Sequence, residues 1–202
     1  MIRLIATDLD GTLLNACGRL PEGIFDIIHA LKEKGIQFAA CSGRTYGNMR
    51  RLFAPVADEM AYVCENGAMC VVDDPAQVTE PILKISGQKN EGMGESAARL
   101  GAKWAGRVTA TLASWDWFDF TCANKGIGMR SLLRRLNIAP AETAAFGDSL
   151  NDESMLDLVG YPFIMAKAAA QLKKPGYCLC DNEMDILRQI VQGTWKPRQG
   201  KD

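Results

Sequence analysis

The acidic residues of this 202-residue sequence gather where apolar runs end. Asp8 and Asp10 follow Leu4-Ile5-Ala6-Thr7 and precede Gly11-Thr12, and Asp148 and Asp152 lie in Gly147-Asp148-Ser149-Leu150-Asn151-Asp152, after Thr143–Phe146. Between them, Ser42-Gly43-Arg44 follows another apolar run, and Lys125-Gly126 opens a helical segment. In an open α/β sheet, ligands bind beyond the carboxyl ends of the strands. Four carboxylates, one hydroxyl and one ammonium are therefore expected at one edge. Two like charges ~4 Å apart cost roughly 4 kcal/mol at an effective dielectric of ~20. Lys125 offsets only one of the four. A hard divalent cation offsets two more, and Mg²⁺ is typically held by one or two carboxylates together with a phosphate oxygen. The site is shaped for metal and phosphate together, with Ser42, Lys125 and the N–H groups of the Asp10-Gly11-Thr12 turn on the phosphoryl oxygens.

The elements that must position these groups alternate. Leu4–Thr7 is apolar without a polar face, as in a strand buried on both sides. A helix is predicted from Pro21 through Ile24, Ile27, Ile28 and Leu31 to Gly35. Ile36–Ala40 follows as a strand, Thr45–Phe53 as a helix and Ala61–Cys64 as a strand, the rhythm of a parallel sheet with crossover helices. Asn66-Gly67 signals a hairpin returning through Val71-Val72, and Asp73-Asp74-Pro75 turns again. A strand at Ile82–Ile85, a helix at Gly94–Lys103 and strands at Val108–Leu112 and Trp115–Phe120 make a small α+β insertion. The alternation resumes with a helix Ile127–Leu136, strand Thr143–Phe146, helix Leu150–Leu158 and strand Tyr161–Met165. Helix Ala168–Lys173, strand Tyr177–Cys180 and helix Met184–Val191 complete it. The expected fold class is α/β, with a core over 1–80 and 122–202 and a cap over 81–121. The polar tail 193–202 is expected to be loose.

Composition excludes several functions. The charged residues nearly cancel, 23 Lys+Arg against 24 Asp+Glu, which removes the basic footprint of a general nucleic-acid binder. No apolar run approaches the ~18 residues of a membrane span. The first apolar stretch meets Asp8 too early for a signal-peptide core. Seven cysteines with no paired C-x-x-C, and the single His29, supply a zinc site poorly. Reduced, mostly buried thiols in the cytoplasm are the expectation. The aromatic run Trp115–Phe120 reads first as cap core, and the basic face Arg130, Arg134 and Arg135 as solvated.

Asp8-Leu9-Asp10-Gly11-Thr12-Leu13-Leu14 resembles the opening motif of the haloacid-dehalogenase-like (HAD) superfamily of phosphohydrolases. Cys41-Ser42-Gly43-Arg44-Thr45 is similar to its second motif, Lys125-Gly126 to its third and Gly147-Asp148-Ser149-x-Asn151-Asp152 to its fourth. All four occur in the family's order. Glu65-Asn66-Gly67-Ala68 further resembles the Cof-type, sugar-phosphatase-like branch, whose lid lies between the second and third motifs. The resemblance implies a Rossmann-like three-layer core and an Mg²⁺-dependent phosphatase acting on a phosphomonoester such as a sugar phosphate. It implies Asp8 as the nucleophile that forms an aspartyl-phosphate. Asp10 would protonate the leaving alcohol and then activate water; two residues of strand period would set both carboxylates on one side. Asp8, the carbonyl of Asp10 and Asp148 would hold Mg²⁺, with Asp152 in support. Ser42, Gly43 and Lys125 would bind the phosphoryl group, and Asn151 would orient the loop or Lys125.

Only 56 residues separate Ala68 from Lys125, fewer than Cof-type relatives usually carry there. The lid is expected to be reduced, leaving room for a second subunit, so a homo-oligomer is allowed. Lys167 stands where relatives usually have asparagine, an added cation that would favour a more acidic substrate. The expected partner is a small phosphorylated molecule, not nucleic acid or membrane. Two rivals are a phosphotransferase or phosphomutase on the same core, told apart by transfer of phosphate to a second sugar, and a non-catalytic phosphate-binding protein, against which every catalytic position is occupied.

Overall fold

A computed structural model of the chain describes residues 1–72, 84–88, 94–104, 108–114 and 117–197. Its strands are β1 (Leu4–Thr7), β2 (Gln37–Cys41), β3 (Ala61–Cys64), β4 (Met69–Val71), β5 (Lys84–Gln88), β6 (Thr109–Ser114), β7 (Trp117–Thr121), β8 (Thr143–Gly147), β9 (Tyr161–Met165) and β10 (Cys178–Cys180). The helices are α1 (Ile24–Glu33), α2 (Tyr46–Leu52), α3 (Gly94–Trp104), α4 (Lys125–Leu136), α5 (Glu153–Leu156) and α6 (Glu183–Gln192). Seven strands form one sheet in the order β10-β9-β8-β1-β2-β3-β4. All pairings in it are parallel except β3 with β4 at the edge.

The central strands are apolar because both faces are covered. Every residue of β1 is buried, and its side chains alternate between two cores. Ile5 joins Ile24, Ile28 and Leu31 of α1 and Leu187 of α6 on one face, whereas Leu4 and Ala6 join Met129 and Leu132 of α4 and Met155 of α5 on the other. This helix–sheet–helix sandwich is the expected α/β fold. A second, antiparallel sheet in the order β5-β7-β6 accompanies α3 within 84–121. Asp73-Asp74-Pro75, the boundary at Pro81 and the first part of the Trp115–Phe120 run lie outside the described residues.

Four expectations are corrected. The helix expected over Ala168–Lys173 is a single 3₁₀ turn, Ala170–Leu172. Helix nucleation fixes several residues for one hydrogen bond, and Pro175-Gly176 stop extension before that cost is recovered. The helix expected over Leu150–Leu158 divides into a 3₁₀ turn, Leu150–Asp152, and the short α5. There the Asp152 carboxylate accepts from the backbone N–H groups of Asp148 and Ser149 and tightens the turn. The tail is anchored as far as Trp195, whose ring meets Tyr161 edge-on at 5.2 Å. The seven cysteines are thiols, but only Cys41, Cys64 and Cys180 are buried.

Candidate active site

β1 ends at Thr7, and the chain turns at once. The Asp8 N–H donates to the Phe146 carbonyl of β8 at 3.0 Å, which ties the first and fourth motifs together. Leu9–Leu13 then forms a wide, π-type turn interrupted at Asp10 and at Gly11, where φ is +89°. A Cβ at Gly11 would run into the Asp148 carboxylate, so this position demands glycine for both its conformation and its space.

Lys125, the first residue of α4, is wholly buried. Its Nζ lies 2.5 Å from Oδ1 of Asp8 and 2.5 Å from Oδ1 of Asp152. The helix starts here because the Asn124 side chain caps it, accepting from the Ile127 N–H at 2.9 Å. Oδ2 of Asp152 accepts from the Asp148 and Ser149 N–H groups at 2.9 and 3.0 Å. Both of its oxygens are therefore engaged, one in fixing the loop that carries Asp148. Asp148 accepts from Thr12 Oγ1 at 3.4 Å. One carboxylate oxygen from each of Asp8, Asp148 and Asp152 lies within 4.8 Å of the others.

The electrostatics follow from burial. Burial pushes the Asp8 carboxyl up to about 7; Lys125 pulls against that shift, while Asp152 and Asp148 add to it. Burial disfavours the Lys125 ammonium, but Asp152 and Asp8 together hold it charged, above the ordinary lysine range. Burial and Asp152 raise the Asp148 carboxyl against the pull of Lys167. Lys125 thus satisfies one oxygen of Asp8, and the other, Oδ2, is buried with no hydrogen-bond partner among the described residues. A buried anionic oxygen without a donor, beside a half-buried Asp148, fits a hard cation with oxygen ligands.

Asp10 is placed differently from expectation. It lies inside the turn, so the strand-period argument that put it beside Asp8 fails. Its side chain is 58% exposed and held by Arg44, with Oδ1 2.6 Å from Nη2 and Oδ2 2.8 Å from Nε. The Asp10 carboxylate is outside the cluster that Asp8, Asp148 and Asp152 form. Ser42 is buried at the end of β2, and its Oγ accepts from the Arg44 N–H at 3.3 Å. Gly43 lies against the Asn66 amide, which a Cβ would approach to 3.2 Å. Asn151 donates to Asn66 at 3.2 Å and pairs with Ser149 at 2.5 Å. No bond from Asn151 to Lys125 is found among the described residues.

Asn66 is the link to which the sequence motif alone assigns no role. Glu65, Asn66 and Gly67 all have positive φ, and the Asn66 N–H donates to the Ser42 carbonyl at 3.0 Å. Glu65 and Asn66, two successive non-glycine residues in this region, store strain that the surrounding structure sustains, and glycine at 67 takes the third such conformation without that cost. The Glu-Asn-Gly order is the available signal in the sequence. Glu183 offers none, since an acidic residue in a helix's first turn is ordinary.

Two predictions arise from this geometry. Gly11→Ala should lower stability by at least about 1–2 kcal/mol, the cost of a left-handed L-residue. Where Mg²⁺ raises the wild-type Tm, the variant should lose that rise, because Asp148 must move; an unchanged response in a metal-responsive protein would refute the close approach. The second concerns Glu183, which is wholly buried and raised to about 8 by burial, Thr7 pulling it down and Asp8 raising it further. Its folded pKa exceeds its ordinary 4.5, so its stabilising contribution is full below that value and is lost as pH rises through about 8. At about 1.4 kcal/mol per pH unit, the span from pH 5 to about 8 costs on the order of 4 kcal/mol. Urea unfolding of the wild type should weaken between pH 5 and 9 by that much more than in Glu183→Gln. Parallel pH curves for the two proteins would contradict it.

A sequence profile of the haloacid dehalogenase-like hydrolases matches residues 5–89 and 76–185. An HMP-PP phosphatase of Cronobacter sakazakii is 25% identical over 236 positions, covering 85% of this chain and 87% of that protein. One from Yersinia pseudotuberculosis (serotype IB) is 22% identical over 238 positions, covering 86% and 87%. Among solved structures, a haloacid dehalogenase-like hydrolase from Bacteroides thetaiotaomicron superposes with a TM-score of 0.78 at 17% identity, over 94% of this chain and 100% of that one. Another from B. subtilis gives 0.74 at 19% identity, over 95% and 99%. The profile spans most of the chain and its motifs meet at one sheet edge: the protein belongs to the haloacid dehalogenase-like hydrolases, as an enzyme of their Cof-type branch.

Proposed function

We propose that this enzyme is an Mg²⁺-dependent phosphatase that hydrolyses a small phosphomonoester, such as a sugar phosphate, through an aspartyl-phosphate on Asp8. The observation that carries the reading is the division of labour on the Asp8 carboxylate. Lys125 holds Oδ1 at 2.5 Å, and the buried Oδ2 is left without a donor beside Asp148. Asp8, the Asp10 carbonyl and Asp148 would hold the metal, with Asp152 keeping Lys125 and the Asp148 loop in place. Mg²⁺ would supply charge neutralisation that lets an anionic carboxylate meet an anionic phosphate.

In the first step an Asp8 oxygen bonds to phosphorus, the P–O bond to the leaving alcohol breaks, and Asp10 gives that alcohol its proton. Asp10 then takes a proton from water, whose oxygen attacks phosphorus and returns Asp8 and inorganic phosphate. Ser42, the Gly43 N–H and Lys125 hold the phosphoryl oxygens, and Asn151 with Asn66 braces the loops between them. Arg44 must part from Asp10 before proton transfer, since its guanidinium occupies both carboxylate oxygens.

The domain division of core 1–80 and 122–202 with a reduced cap at 81–121 belongs to the same proposal. Of the 202 residues, 86% is about 174, against 238 aligned positions, so some 64 positions of the Yersinia relative face gaps here. That shortfall supports a small cap and an open cleft that a second copy can cover. The unbridged cysteines suit the reducing cytoplasm. The relatives named HMP-PP phosphatases add HMP-PP to the substrates worth screening.

The test is phosphate release from an aryl phosphate, which should require added Mg²⁺ and stop on chelation. Without substrate, millimolar Mg²⁺ should raise the Tm, because it binds the folded carboxylates. Full turnover in excess chelator would remove the metal from the mechanism.

A further inference from the structure

Among the described residues, Glu183 is the one wholly buried carboxyl that the proposed mechanism does not use. It opens α6, which packs on the Leu9–Leu13 turn beneath the nucleophile, and Asn182 caps the helix by accepting from the Met184 N–H at 3.0 Å. Its Oε2 lies 2.8 Å from Thr7 Oγ1, and that hydroxyl also lies 2.8 Å from the main-chain carbonyl oxygen of Asp8. Oε1 has no hydrogen-bond partner among the described residues.

A threonine hydroxyl carries one hydrogen. The Asp8 carbonyl can only accept, so an anionic Glu183 leaves that hydrogen shared between two acceptors, whereas a protonated Glu183 donates to Thr7 and frees the hydrogen for Asp8, which gives two full hydrogen bonds over the same 2.8 Å contacts. A neutral carboxyl also explains the bare Oε1, because an unpartnered carbonyl oxygen costs far less than half of a buried carboxylate. Burial outweighs the pull of the helix N-terminus toward the anion.

We propose that Glu183 is a positioning residue for the nucleophile: its carboxyl, donating to Thr7, turns the Thr7 hydroxyl onto the Asp8 carbonyl and fixes the peptide from which the turn departs. The Asp8 main chain is then pinned on both sides, its N–H on Phe146 and its carbonyl on Thr7. The Asp8 side chain is oriented from this peptide, and a displacement of about 1 Å at a reacting atom costs ~100-fold in rate. The inference deepens the proposed phosphatase mechanism and rests on it.

The test compares variants in aryl phosphate hydrolysis. Glu183→Gln keeps a donor to Thr7 and should retain kcat within about threefold. Glu183→Leu, which removes the donor at similar volume, should lose about 10- to 100-fold in kcat with KM changed less than about threefold. Thr7→Val should cost as much, and adding it to Glu183→Leu should cost nothing further, because the two act as one chain. Thr7→Ser should restore the rate. If Glu183→Leu does not fold, the comparison of Thr7→Val with Thr7→Ser and Glu183→Gln decides the question by the same rates. A folded Glu183→Leu with wild-type kcat, a Glu183→Gln as slow as Glu183→Leu, or losses that multiply would each overturn the positioning role. In those cases the wild type still releases phosphate; a wild type that releases none removes the phosphatase reading first.

Discussion

Asp8→Asn should reduce Mg²⁺-dependent phosphate release by ~10⁴-fold or more, the scale on which removal of a covalent nucleophile is felt. The substitution keeps shape and volume and can still meet Lys125 through its amide oxygen. Stability should therefore change little or rise, because one of three mutually repelling carboxylates is gone and Asp8 is raised to about 7 by its burial and neighbours. Loss of turnover in a protein at least as stable separates chemistry from folding. The wild type quenched during turnover should carry a phosphate adduct by mass, and Asp8→Asn should carry none. Activity within tenfold of wild type would withdraw the nucleophile assignment.

Lys125→Met should have the largest effect on stability. The ammonium sits 2.5 Å from each of two carboxylates with no exposure to solvent, and methionine fills its volume without its charge. Removing one partner of a buried ion pair leaves uncompensated charge and costs about 3–5 kcal/mol. Urea unfolding should show that loss at pH 7.5. Lowering the pH toward 5 should recover part of it, since protonation removes the stranded charges, and millimolar Mg²⁺ should recover part by another route. Phosphate release should fall by ~10²–10³-fold, the scale of a lost donor to developing charge. A loss in stability below about 1 kcal/mol, within the range of ordinary surface substitutions, would mean that Lys125 does not neutralise the site.

Much of this architecture was legible because local and global preferences agree. Leu4–Thr7 could be read as a central strand from composition alone, since only a strand covered on both faces tolerates unbroken apolar character. The positions of Ile24, Ile27, Ile28 and Leu31 follow from helical period, and all four are buried. The convergence of Asp8, Asp148, Asp152 and Lys125 was legible too, because topology sends the carboxyl ends of parallel strands to one edge. Short irregular segments were not. At Ala168–Lys173 and Leu150–Leu158 the side-chain pattern suits a helix, but a nearby Pro-Gly pair and a carboxylate turned onto backbone N–H groups decide otherwise.

The identity of the chemical groups and their common edge were thus written into the chain, because strand and helix periods are local and crossovers obey a fixed geometry. Which group meets which was decided by the folded molecule alone. Arg44 takes Asp10 out of the acidic cluster, Asp152 spends its oxygens on Lys125 and the Asp148 loop, and Glu183 reaches Thr7 across 176 positions of sequence. Each outcome depends on distances of a few ångströms between distant segments and on how fully water is excluded there. Neither quantity has a period, a spacing or a composition that a linear sequence could display.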